Sequence, residues 1–145
     1  MRNLILIDNN KDDLQFMKEA LASADETIQC LSFVYSEEAM EAMMNSVVEK
    51  PHAVFMNLNM PRRNGIQCLM ELRGSSTFAS LPVILYASKI TSDVVDTLKG
   101  SGNTLVFEKP KTIVAWKKIM SQMLTSIDRA EGSFRAHFAN SWFVH

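Results

Sequence analysis

Polar groups able to do chemistry stand where short apolar runs stop. Asp8 follows Leu4-Ile5-Leu6-Ile7, Asn57 follows Ala53 to Met56, Ala87-Ser88 follows Leu81 to Tyr86, and Lys109 follows Leu105-Val106-Phe107. A carboxylate and an ammonium brought together bind a cation, bind an anion, or pair with each other. Asn9, Asn57 and Asn59 add neutral amides, which suit hydrogen bonds to loop backbone. Elsewhere the chemistry is thin. Cys30 and Cys68 lie far apart and form no CxxC, which fits a reduced compartment. His52, His137 and His145 are scattered without ligand spacing, so no zinc site is expected.

Longer helical patterns separate the apolar runs. Lys11 to about Ser23 carries Leu14, Met17 and Leu21 at spacings of three and four, with Asp12 and Asp13 suited to the first turn. Ile28 to Val34 reads as a second strand. Ser36 is the expected N-cap of a helix whose stripe is Met40, Met43, Met44, Val47 and Val48, most of it core. The segments Ile66 to Arg73, Ser92 to Lys99 and Thr112 to Ile127 supply three more helices. Arg62-Arg63 reads as a solvated basic turn and Asn64-Gly65 as turn chemistry. Five strand–helix alternations imply an α/β fold, with a doubly wound five-stranded parallel sheet and helices on both faces. In such sheets function gathers at the carboxyl ends of the strands, where the polar groups stand.

Composition bounds the rest. Apolar residues are 47% of the 145 and charged ones 21%, enough for one substantial core and too little polar bias for disorder. Fifteen Lys and Arg against sixteen Asp and Glu give a net charge of −1, so no basic field exists for nucleic acid. No apolar run approaches the ~18–20 residues of a membrane span. The four-residue run before Asp8 is too short for a secretory signal, and a cytoplasmic location is expected.

From about Leu4 to Ile127 the chain resembles the receiver domains of two-component response regulators, of the chemotaxis-receiver kind. Four blocks carry the resemblance: Leu6-Ile7-Asp8-Asn9-Asn10, Val54 to Pro61 with Gly65, Pro82-Val83-Ile84-Leu85, and Gly102 to Lys109-Pro110. It implies a flavodoxin-like fold with strand order 2-1-3-4-5, a receiver domain over 1–128 and a C-terminal aromatic extension over 129–145. It also implies a division of labour. An aspartate after the third strand accepts a phosphoryl group, and an acidic pair after the first strand holds Mg²⁺ with help from a backbone carbonyl. A Ser or Thr after the fourth strand and a Lys after the fifth bind the phosphoryl oxygens. Such transfer is mostly positioning and charge neutralisation.

The sequence departs from that pattern at the positions that matter. The acceptor position holds Asn57, the second acid is Asn9, and the hydroxyl position is Ala87, with Ser88 one residue late. Asp8, Lys109 and Pro110 remain. Val106 replaces an aromatic that often switches on the fifth strand. Asp8 alone opposes Lys109, a formal zero where receivers hold a carboxylate cluster. Lys109 is therefore expected to bond Asp8 and the side-chain oxygen of Asn57, with Asp12 and Asp13 serving the helix end; the alternative is that one of the two leans back over the pocket and restores some negative charge. No cofactor is expected and Mg²⁺ binding of no consequence, since Asp8 and the Asn59 carbonyl are the only ligands left to a metal.

The expectation is an atypical stand-alone receiver, not an enzyme, in phosphorelay signalling, acting by protein–protein contact. Its partner would be a histidine kinase or another signalling protein, or a second copy in a homodimer. Val106, Phe134, Phe138 and Trp142 are the candidate partner surface, the last three at spacings of four. The residues after the fold are too few for an output domain. Two alternatives stand beside it: a phosphoreceiver using Asp8 or Ser88, and a flavodoxin-like small-molecule-binding protein. The latter wants a Ser/Thr/Gly-rich phosphate loop after the first strand, which Asp8-Asn9-Asn10-Lys11 is not.

Overall fold

The computed structural model describes residues 2–130, and the expected aromatic face of Phe134, Phe138 and Trp142 lies outside them. The strands are β1 (Asn3–Ile7), β2 (Gln29–Phe33), β3 (Ala53–Asn57), β4 (Val83–Ala87) and β5 (Thr104–Glu108). The helices between and after them are α1 (Lys11–Ala24), α2 (Ser36–Met44), α3 (Gly65–Arg73), α4 (Ser92–Leu98) and α5 (Ile113–Ala130). All pairings are parallel, in the order β2-β1-β3-β4-β5. This is the expected flavodoxin-like arrangement.

Side-chain alternation along each strand divides the core into two layers. Leu4, Leu6, Phe55, Ile84, Tyr86, Leu105 and Phe107 pack under α1 and α5. Ile5, Ile7, Val54, Met56, Leu85, Ala87 and Val106 pack under α2, α3 and α4. The central strands β3 and β4 are buried along their whole length, which explains why they read as unbroken apolar runs.

Two local expectations are corrected. Ser36 does not cap α2; it is the first helical residue, buried, and its hydroxyl donates to the Arg63 carbonyl at 2.7 Å, while Tyr35 holds the cap position. Helix α2 also stops at Met44, so Val47 leaves the stripe and is 75% exposed. Asn64, expected as turn chemistry, caps α3 in a reciprocal box with Gln67. Gly65 opens that helix against the end of β3, where a Cβ would stand 2.9 Å from the Leu58 Cα and 3.0 Å from the Asn57 carbonyl oxygen.

Candidate functional site

Asp8, Asn57 and Lys109 converge at the carboxyl edge of the sheet because each continues the α1/α5-facing alternation of its strand. Asp8 follows Leu4 and Leu6, Asn57 follows Ala53 and Phe55, and Lys109 follows Leu105 and Phe107. By the same alternation Tyr86, not Ala87, faces this side from β4. Register places Tyr86 beside Asn57 on one flank and Phe107 on the other.

Asp8 is the centre of the cluster and is fully buried. Its Oδ1 accepts the Asn10 backbone N–H at 2.9 Å and the Asn57 Nδ2 at 3.2 Å. Its Oδ2 accepts the Tyr86 hydroxyl at 3.0 Å and lies 3.1 Å from the Lys109 Nζ. A carboxylate offers about four lone-pair directions, and all are taken by protein groups.

Asn57, also buried, is equally satisfied. Its Nδ2 reaches Asn9 Oδ1 at 3.4 Å as well as Asp8, and its Oδ1 accepts the Asn59 N–H at 3.1 Å. The amide orientation follows from the charges, because the reverse would aim a carbonyl oxygen at the Asp8 carboxylate. That orientation explains one correction. Lys109 does not bond Asn57, whose oxygen is turned to the Asn59 backbone; its second partner is Asp13, at 2.6 Å.

Asp13 therefore does more than serve the helix end. Asn10 caps α1 by accepting the Asp13 N–H at 3.0 Å, which fixes Asp13 in the first turn with its carboxylate on the Lys109 ammonium. Counting Asp13, the cluster is two carboxylates against one ammonium, a formal −1 and not the expected zero. Asp12 remains exposed in the first turn.

Tyr86 is the residue that sequence reasoning missed. Its ring stacks on Phe107 at 5.3 Å and meets the edge of Trp116 at 6.1 Å, while the Lys109 ammonium lies 5.4 Å from its centroid. Burial, then the Asp8 charge, push its phenol well above the ordinary 10.0, so it stays a donor. The signal was available: strand alternation from Ile84 turns Tyr86 to the same side as Asn57.

The remaining expected residues fall around this cluster. Ala87 is buried on the opposite face, Ser88 is exposed past the end of β4, and Pro110 is buried behind Lys109. Asn9 and Asn59 are exposed at the rim. Val106 is wholly buried under α4, so it offers no partner surface; strand alternation turns it inward. The loop between β4 and α4 is pinned by Glu108, whose carboxylate accepts the Ile90 N–H at 2.9 Å.

The donor set does not fit a divalent metal. Such a cation takes several anionic or carbonyl oxygens with free lone pairs. Here the Asp8 oxygens are saturated, Asn9 and Asn57 are neutral, and an ammonium sits between the two acids. Among the described residues no other group of His, Cys, Asp or Glu is placed to hold one.

A model of the response regulator receiver domain family matches residues 4–120. No curated protein matches the chain. Among solved structures, the phosphorylated cyanobacterial phytochrome response regulator RcpA superposes with a TM-score of 0.73 at 21% identity, covering 84% of this chain and 90% of that one. The Mn²⁺-bound form of response regulator Rcp1 gives 0.74 at 16% identity, covering 86% and 93%. The chemotaxis protein CheY4 of Vibrio cholerae gives 0.70 at 16% identity, covering 84% and 98%. At these identities the superpositions speak for the shared fold.

Proposed function

Since the chain belongs to the response regulator receiver domain family, we propose that it is a pseudo-receiver, one that signals by protein contact without taking a phosphoryl group. A single relationship carries this reading. Asn57 stands at the end of β3, where the family places its acceptor, and its amide nitrogen donates to Asp8. A neutral amide is a poor nucleophile toward phosphorus, and this one is tied on both of its ends.

The switching parts are changed as well. Ala87 has no hydroxyl to draw toward a phosphoryl group, and Glu108 already holds the loop that follows it. The domain therefore rests in one conformation, and a partner selects it by affinity alone. The partner is a protein of the signalling apparatus, such as a histidine kinase, or a second copy of the chain. The protein is not an enzyme, takes no Mg²⁺ of consequence and works in the cytoplasm. No helix among the described residues is long and apolar enough to cross a membrane.

Neither alternative acceptor is favoured by position. Asp8 is buried with its oxygens occupied, and Ser88 is exposed beyond the strand. Intact mass after incubation with a small phosphodonor and Mg²⁺ tests the proposal, under conditions that preserve an acyl phosphate. The natural chain should gain no mass. Gain of one phosphoryl group would overturn the reading, and peptide mapping would then name Asp8, Ser88 or another acceptor.

A further inference from the structure

The family resemblance makes Asn57 the obvious block to phosphorylation, so that Asn57→Asp would be the natural repair. We propose that a second group, the Tyr86 hydroxyl, weakens cation binding at Asp8 independently of Asn57. The inference rests on the pseudo-receiver reading above and adds to it a reason that repair of the acceptor alone restores cation affinity only in part.

A cation approaching Asp8 competes with its four present partners, which differ in how readily they yield. The Asn10 N–H belongs to the turn that starts α1. The Asn57 amide disappears when Asn57 is replaced by Asp. Lys109 can swing, since it is a flexible chain and its ammonium is already shared with Asp13 at 2.6 Å. Tyr86 cannot. It is fully buried, its ring is held by Phe107 and Trp116, and its phenolic oxygen is thereby fixed 3.0 Å from Asp8 Oδ2. Opening that bond requires the aromatic cluster between the sheet and α5 to repack. Removing the hydroxyl alone leaves a buried carboxylate oxygen short of a partner, a deficit that a divalent cation fills.

The test uses the full chain with the acidic set restored, Asn9→Asp with Asn57→Asp, and titrates Mn²⁺ by calorimetry. Adding Tyr86→Phe keeps the ring and removes only the hydroxyl. It should tighten Mn²⁺ binding by about tenfold or more relative to the acid-restored parent, the scale of one hydrogen bond to a charged group. Equal affinity of the two proteins would overturn the proposal. If the Phe variant fails to fold on that background, Tyr86→Phe against its parent in the chain carrying Asn57→Asp alone gives the same comparison. Because the readout is cation affinity in repaired protein, it is separate from the mass measurement on the natural chain. Failure of either claim is therefore visible without the other.

Discussion

The Tyr86 hydroxyl and the Asp8 carboxylate meet 3.0 Å apart in the fully buried edge of the sheet, although their strands β4 and β1 are separated by β3. Only a side chain as long as tyrosine spans that gap while keeping its ring in the core. The bond links the polar pocket to the aromatic packing under α5. It also makes the pocket part of the fold's stability, where a metal-binding site would be a strained cluster of like charges.

Tyr86→Phe in the natural chain should cost about 1–3 kcal/mol at neutral pH, the range for losing a bond to a buried charge. The pH dependence has a definite sign. The folded phenol titrates well above 10.0, chiefly through burial. Below about pH 10 both states keep the proton and Tyr86 contributes fully; above it the unfolded chain releases its proton first and stability falls. Denaturant titrations on either side of about pH 10 should show a smaller alkaline loss in the Phe variant than in the natural chain.

Lys109→Met tests the ion pairs. Asp8 is fully buried and the Lys109 side chain is only 14% exposed, so the change leaves a buried charge without its counter-ion. A loss of about 2–4 kcal/mol is expected, at or below the usual range for a broken buried pair because Asp13 keeps some water. Adding Asp8→Asn should recover part of that loss in a denaturation cycle. Purely additive losses would show that the pair does not couple.

Gly65→Ala should disturb the pocket from outside. The added Cβ would meet the Leu58 Cα at 2.9 Å and the Asn57 carbonyl at 3.0 Å, both backbone atoms that yield only by moving the end of β3. Overpacking of this kind costs about 1–3 kcal/mol. Amide shifts centred on Asn57 and Asn59 in a two-dimensional NMR spectrum are the corresponding signature.

Arg73→Ala should be among the most damaging changes far from the pocket. Its guanidinium donates to the carbonyls of Ser101 at 2.6 Å, Leu81 at 2.7 Å and Asn103 at 2.8 Å, tying α3 to the starts of β4 and β5. The loss of several charge-assisted bonds predicts about 2–4 kcal/mol of destabilisation by denaturant titration.

Much of this was legible in the residues. Strands buried along their length leave apolar runs, so β1, β3, β4 and β5 announce themselves, while the half-exposed edge strand β2 carries a weaker signal; parallel crossovers then fix which ends meet. Asp8, Asn57 and Lys109 could be placed together on that ground alone. What escaped was the choice of partners inside the cluster. Asp13 reads as a helix-end acid because nothing in its own helix shows Lys109 arriving from β5. Tyr86 reads as core because its ring is core, and the hydroxyl's destination depends on register with β3 and the distance to β1. Val106 suggests surface only by analogy with an aromatic, whereas its place in the alternation turns it inward. Val47 and Val48 keep the helical spacing of α2 after the chain has turned at Asn45 and Ser46, where Ser46 has a φ of 56°, so the pattern alone extends the helix too far.

The central claim is that the natural pocket is closed to both cation and phosphoryl group by its own side chains. Two-dimensional amide NMR of the natural chain, with and without Mg²⁺ and beryllofluoride as a phosphoryl mimic, addresses it most directly. The resonances of Asp8, Asn57, Asn59, Ala87 and Lys109 should stay where they are. Saturable shifts concentrated on those residues would contradict it and show that the pocket still opens.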